Sequence, residues 1–311
     1  MKLKNTTISE DLERWIEAYL KHIQALSYSN NTFLLYRRIL LEFVEYSLDY
    51  QDEMQINDIK TTFLVNFLNY LENNSKNGNK LSKKTKITYL RVLTSFFSFI
   101  SDNNDLFIFS FDMKKIRFRT EKSEEKLNYL NENEIIRLNN VLEKEKAKKE
   151  VYNSFRNSLL IKLMLYGGLR ISEALNVKLC DFEEVDDEIL KISIIGEGGK
   201  EQFAFIKKEE VDDELEYFKE NIQDSDYIMQ TSTGKHLNRS NAFLIVNNIY
   251  AKALISKKGL HLLRHTLAMR LTAKGTNLVV IQKILRHANL NTTTIYAKAT
   301  NDTIKAALLN N

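Results

Sequence analysis

Arg170, His261, Arg264, His287 and Tyr296 are side chains suited to work on a phosphate ester, and they fall in three short runs: GGLRISEAL at 167–175, HLLRH at 261–265 and LRHANLNTTTIY at 285–296. Guanidinium groups neutralise phosphate oxygens, imidazoles exchange protons or hydrogen bonds, and a phenolic oxygen is a nucleophile. Such a set can attack a phosphodiester without a metal ion. His261 and Arg264 are three apart on one predicted helix, so both can point the same way. A buried Arg264 with no carboxylate on its own helix calls for an anionic partner, and a ligand phosphate would serve. Taken singly these residues say little; the chain has 14 tyrosines, so Tyr296 alone carries no weight.

Gathering these residues is the task of the surrounding elements. The first third reads as four helices. Leu12, Trp15, Ile16, Tyr19, Leu20 and Ile23 recur at helical spacing behind a Ser9 cap. A second helix starts at about Asn31, a third at about Asp58, and a fourth near Ser82 with Tyr89, Leu90, Leu93, Phe96, Phe97 and Ile100 inward. The fourth has a second face of Lys83, Lys84, Lys86 and Arg91, with Lys80 just before it and no acid across 73–101. A cationic face near a helix N-terminus suits phosphate.

Residues 120–126 (TEKSEEK) hold no apolar side chain and make the best boundary. The expected units are 1–119, a linker at 120–127, and 128–311. The second unit opens on Asn131-Glu-Asn-Glu134, a capping-box pattern. A helix ending at Gly167-Gly168 leaves Arg170 in the junction before a short helix. Residues 189–195 and 201–206 read as a hairpin around GEGGK. Further helices are expected at about 208–221, 239–255, 260–274, 277–287 and 292–298.

The chain has 311 residues, 43% of them hydrophobic and 28% charged, which suits a soluble protein of one large or two ordinary domains. The net charge of +4 decides little, but its distribution is uneven. No Asp or Glu lies between Asp226 and Asp302, a stretch that carries Arg239, Lys257, Lys258, Arg264, Arg270 and Arg286 among other cations. A strongly positive surface there would suit a polyanion. Cys180 is the only cysteine, so no intrachain disulfide is possible, which fits a reducing compartment. With neither a membrane-length apolar run nor a signal-peptide core, a cytoplasmic protein is expected. There is no P-loop and no zinc-ligand pattern, and 227–301 lacks the clustered acids of a two-metal nuclease.

In order, Arg170, Lys200, His261-x-x-Arg264, His287 and Tyr296 resemble the tyrosine recombinase (phage integrase) family, and among its members the Xer-type recombinases. GGLRISEAL is similar to the family's first-arginine box, GEGGKEQ to its lysine hairpin, HLLRHT to its His-x-x-Arg box and LRHANLNTTTIYAKA to its His-then-Tyr box. One departure stands out: the residue before the second histidine is usually glycine in the family, and here it is Arg286, which would shift the loop or add a phosphate contact.

The resemblance implies a mainly α protein. A helical, SAM-like core-binding domain would precede a mixed, mostly helical catalytic domain with a small antiparallel sheet, the two clamping DNA. Arg170 and Arg264 would grip the non-bridging oxygens and Tyr296 would attack the phosphorus. His261 would take the phenolic proton, Lys200 would protonate the departing 5′-oxygen, and His287 would hydrogen-bond the phosphate. Glu173 would support the site by pairing with a basic neighbour, and His265 would orient its neighbours. Lys80, Lys83, Lys84, Lys86, Arg91, Arg239, Lys257, Lys258 and Arg286 would contact DNA. No cofactor is expected. The family's habits imply a homotetramer on two synapsed DNA sites, a septal DNA translocase as partner, and chromosome dimer resolution as the role. The tail at 303–311 would dock on a neighbouring copy or on its own domain. A mobile-element or integron integrase shares the chemistry. A type IB topoisomerase shares the nucleophile and arginines, and a non-catalytic DNA-binding protein of this fold stands as a reading from a different class.

Overall fold

The computed structural model describes residues 7–50, 54–74, 80–105, 108–109, 111, 116, 128–148, 152–196, 199–223, 226–231 and 233–286. The expected linker at 120–127, the helix at 292–298 and the tail at 303–311 lie outside the described residues. The chain divides into two compact units, Met1–Glu124 and Glu125–Asn311.

The first unit is helical: α1 (Ile8–Ala25), α2 (Asn30–Ser47), α3 (Thr61–Asn73) and α4 (Lys83–Asp102). The cap of α1 is Thr7 instead of the expected Ser9. The Thr7 hydroxyl accepts from the Glu10 amide and the Glu10 carboxylate accepts from the Thr7 amide, a reciprocal box that leaves Ser9 buried in the first turn. The third helix starts later than expected, because Ile56–Asp58 forms its own short 3-10 turn. The core of this unit is aromatic. Phe43 meets the Phe67 ring edge-on at 5.1 Å, and Tyr46, Phe63 and Phe97 also pack against Phe43. Such ring pairs each add about 0.5–1.5 kcal/mol beyond the area they bury.

The second unit runs α5 (Glu132–Lys148), α6 (Tyr152–Leu165), α7 (Ile171–Leu175), β1 (Phe182–Glu184), β2 (Ile189–Ile195), β3 (Glu201–Lys207), α8 (Asp212–Asn221), α9 (Arg239–Lys252), α10 (His261–Ala273) and α11 (Leu278–Leu285). Leu159 to Leu165 of α6 are buried without a break, so this helix is the axis on which the others pack. The strands form an antiparallel sheet in the order β1-β2-β3. Leu190, Ile192, Ile194, Ala204 and Ile206 face the core, while Phe203 and Phe205 are about half exposed on the other face. Strand β1 escapes periodicity analysis because it is three residues long and two are acids. Its Glu183 and Glu184 pair with Lys191 and Lys208. The helix expected over 208–221 begins only at Asp212, after a 3-10 turn.

The 100%-buried carboxylate of Glu214 on α8 lies within this unit. Lys146 donates to it at 2.8 Å, Lys162 at 2.8 Å and Ser158 at 2.6 Å. Lys146 also pairs with Glu143 and Asp213. Burial alone would depress the Lys146 ammonium, but its bonds to Glu214 and Glu143 override that and hold its pKa above the usual lysine value.

Candidate active site

Gly167 and Gly168 end α6 and turn the chain toward α7. Gly168 has φ +61, and a Cβ built there would stand 2.8 Å from Leu267 Cδ2 and 3.1 Å from Leu285 Cδ2. The turn therefore needs glycine both for its backbone and for the close approach of α10 and α11. Its carbonyl is a hub. Gly168 O accepts from Arg264 on α10 and, at 3.0 Å, from Arg286 after α11. Arg264 is buried and also donates to the Leu285 carbonyl. Where the sequence called for an anionic partner, the protein offers Arg264 two carbonyl oxygens.

Arg170 caps α7 with the help of Glu173. The Arg170 amide donates to Glu173 Oε2 at 2.7 Å and its Nη1 to Oε1 at 2.7 Å. Its Nη2 donates to the Arg286 carbonyl at 2.8 Å. Glu173 is buried, and its Oε2 also accepts from Arg286 Nη2 at 2.9 Å. Burial would raise the Glu173 carboxyl, but the charge of Arg286 and the bonds from Arg170 keep it below the ordinary carboxylate range.

His261 opens α10 at the surface, whereas Arg264 lies beneath it, so the two reach the same neighbourhood from different depths. Desolvation lowers the pKa of His261, and the nearby charges of Arg239, Arg264 and Arg170 lower it further. The ring is therefore held neutral and able to accept a proton. His265 stands one turn on, its ring 6.4 Å from that of His261, with its pKa lowered by desolvation and by His261 and Arg264. The structure thus brings Arg170, Glu173, His261, Arg264, His265 and Arg286 into one neighbourhood. Lys200 sits exposed at the tip between β2 and β3, its carbonyl accepting from the Gly196 amide at 2.8 Å. Among the described residues, no hydrogen bond or ion pair joins its side chain to the arginine group. His287 and Tyr296 lie outside the described residues.

Three of the expected DNA contacts need correction. Arg286 does not reach outward for phosphate: its guanidinium is buried against Glu173 and the carbonyls of Gly168 and Ile284. Lys257 is turned inward, donating to Glu134 at 2.5 Å and to the Tyr129 carbonyl at 2.7 Å. Lys86 pairs with Glu72 at 2.8 Å, a carboxylate just before the acid-free run that also accepts from the Leu81 amide. The acid-free stretch in 227–286 is likewise less positive than its composition suggests, because α5 supplies acids to it. Glu132 pairs with Arg270 and Glu145 with Lys252, besides Glu134 with Lys257. Lys80, Lys83, Lys84 and Arg91 in the first unit, and Arg239 and Lys258 in the second, remain exposed.

Sequence reasoning missed Gly168 as a hydrogen-bonding hub and treated the glycine pair only as a helix stop. It also missed Thr266, whose buried hydroxyl accepts from the Leu130 amide and donates to the Leu262 carbonyl, tying the start of the unit to α10.

Comparison with known proteins adds a second line of observation. The family model described as Phage integrase family matches residues 128–302, and the one described as Phage integrase SAM-like domain matches residues 11–98. Tyrosine recombinase XerH of Campylobacter jejuni is 32% identical over 235 residues, 73% of this chain but only 65% of that protein, so the match spans less than two thirds of that relative's length. Tyrosine recombinase XerC of Staphylococcus aureus is 26% identical over 302 residues, 94% of this chain and 95% of that protein. In fold, the chain resembles the XerH site-specific recombinase bound to its difH substrate in a pre-cleavage complex, with a TM-score of 0.74, 24% identity and coverage of 98% and 97% of the two chains. It also resembles the Tn1549 transposon integrase in complex with circular intermediate DNA, with a TM-score of 0.68, 18% identity and coverage of 98% and 99%.

Proposed function

The chain belongs to the phage integrase family as a Xer-type tyrosine recombinase, and from that premise we propose that it exchanges DNA strands at a defined site through a 3′-phosphotyrosine intermediate. The observation that carries the reading is the convergence of Arg170 and Arg264 on the end of α11, where they donate to the carbonyls of Arg286 and Leu285, beside the His261 imidazole, whose pKa desolvation and nearby arginines lower. Phosphoryl transfer needs little covalent machinery, so positioning and charge do most of the work.

In the proposed reaction the two guanidinium groups bind the non-bridging oxygens and stabilise the pentavalent transition state. Tyr296 Oη attacks phosphorus, the bond from phosphorus to the 5′-oxygen breaks, and His261 takes the phenolic proton. A free phenol ionises near pH ~10, so it needs that base. Lys200 gives a proton to the leaving 5′-oxygen, and His287 hydrogen-bonds the phosphate. Reversal onto another strand's 5′-hydroxyl restores the phosphodiester without ATP. Neither a cofactor nor a divalent ion takes part in this scheme. Exposed Lys80, Lys83, Lys84, Arg91, Arg239 and Lys258 supply the sequence-independent hold on the DNA backbone.

The proposed setting is a homotetramer in the cytoplasm, joining two sites, resolving chromosome dimers during cell division and stimulated by a septal DNA translocase. The likeness to XerH and XerC supports this setting. Integration of a mobile element is the second reading, favoured by the fold match to the Tn1549 integrase.

A suicide duplex with a nick beside the scissile position traps the covalent adduct. Wild type is expected to form it in excess chelator, and Tyr296→Phe is expected to bind the same duplex and form none. Adducts that survive in Tyr296→Phe, or that vanish with chelator, overturn the mechanism. Chromosome dimers accumulating in cells that lack the gene decide for dimer resolution over integration.

A further inference from the structure

Arg286 holds a backbone conformation that an arginine has no reason to adopt for its own sake. Its φ is +52 and its ψ 45, the left-handed region, at the C-cap of α11. For a residue with a Cβ this costs about 1–2 kcal/mol, and glycine takes it freely. The long side chain folds back into the protein with 6% of its surface exposed. There it donates to the Ile284 carbonyl at 2.9 Å, the Gly168 carbonyl at 3.0 Å and Glu173 Oε2 at 2.9 Å. The same residue's carbonyl accepts from Arg170 Nη2 at 2.8 Å. Arg286 thus supplies one of the groups that hold Arg170, its carbonyl, and binds the other, Glu173, with its side chain.

We propose that Arg286 is a positioning residue for DNA cleavage: its buried guanidinium offsets the charge of Glu173, so that Arg170 stays fixed yet keeps its positive charge for the scissile phosphate. The inference rests on reading Arg170 as a phosphate-binding group. Without Arg286, Glu173 and Arg170 would form a neutral pair, and a neutralised guanidinium attracts a phosphate less. With Arg286 the three groups carry one net positive charge, and it is the guanidinium of Arg170, 25% exposed, that faces outward while that of Arg286 does not. The groups facing Glu173 among the described residues are Arg170 from its own helix and Arg286 from the end of α11, and the lowered carboxyl pKa agrees with both acting on it.

Arg286→Gly separates this role from that of a turn former, because glycine suits the backbone and the variant is expected to fold. A duplex enriched by wild type from a randomised DNA pool, nicked at successive positions, supplies the suicide substrates. At saturating duplex, Arg286→Gly is expected to form adduct about tenfold to a hundredfold more slowly, with its half-saturating DNA concentration unchanged. The acid limb of its pH–rate profile moves to higher pH, since Glu173 loses a cation that favours its charged form. Arg286→Lys restores the acid limb by returning the charge. Wild-type rates in Arg286→Gly overturn the proposal, and so does weaker DNA binding at an unchanged rate, which would make Arg286 a DNA contact. A carboxyl-carbon NMR titration of the free protein, with the Glu173 signal assigned through Glu173→Gln, provides an arm independent of cleavage. Glu173 should titrate at higher pH in Arg286→Gly, and an unchanged titration overturns the proposal. Absence of adduct in wild type would defeat the recombinase reading instead, and the titration would still decide the coupling.

Discussion

Glu173 and Glu214 are both buried carboxylates gripped by two cationic side chains, but they differ in what lies on their far side. Glu214 is sealed. Lys146 and Lys162, its partners, have side chains only 6% and 11% exposed, and the buried Ser158 hydroxyl completes the shell. Glu173 is as well bonded, yet one of its partners, Arg170, is a quarter exposed and lies close enough to His261 to depress its pKa. A closed charge cluster ties α5, α6 and α8 together. An open one transmits its order to a surface where a ligand can meet it. Burial of a carboxylate therefore does not mark a site; an arginine that leaves the cluster toward solvent does.

The contrast is sharpest under mutation. Glu214→Ala removes the one buried counter-charge of Lys146 and Lys162, leaving them only the exposed carboxylates of Glu143 and Asp213, and should cost about 3 kcal/mol of stability. Urea unfolding measures that loss, while the adduct-forming rate per folded molecule should stay at the wild-type value. Glu173→Gln should show the opposite balance: a stability loss of about 1–3 kcal/mol and adduct formation slowed about tenfold or more. If both variants lose stability and activity in the same proportion, the distinction between sealed and open clusters fails.

Acid tests the same difference more gently. The Glu173 carboxyl has a lowered pKa in the fold, so the unfolded chain binds its proton more readily than the folded one. Its contribution to stability is full above the ordinary carboxyl pKa of about 4.3 and disappears as pH falls through the lower folded value. The melting-temperature gap between wild type and Glu173→Gln should therefore close in acid. The smallest effect is expected on the open side. Arg239→Ala removes a cation that disfavours protonated His261, so the pKa of His261 should rise toward its ordinary value. If His261 is the base, the acid limb of the cleavage profile moves to higher pH, and an unmoved limb would separate His261 from the rate.

Much of the architecture could be read from residue order. Apolar spacing announced α1 to α4, and the glycine pair at 167–168 marked the end of α6. Local signals failed where two of them competed or where a partner was distant. Ser9 looked like a cap, but Thr7 has its glutamate three residues ahead and takes the role. Strand β1 has no alternation to display; its order comes from pairing with β2, and its two acids meet Lys191 and Lys208. The site was legible as a set of residue types and illegible as a set of directions. Arg286, Lys257 and Lys86 all sit in runs poor in acid, and each is satisfied by a carboxylate from another element: Glu173, Glu134 and Glu72. The pairing of Glu173 with Arg286 spans 113 residues of chain, and no periodicity encodes it.

The glycine at 168 limits how this sequence can drift. One added methyl group there would press on Leu267 and Leu285 at once and force a left-handed backbone on alanine. The carbonyl shared by Arg264 and Arg286 would shift with it. A lineage that loses this glycine must move two packed leucines and strain the turn whose carbonyl seats two arginines, so the position is a ratchet on the inheritance of the whole pocket.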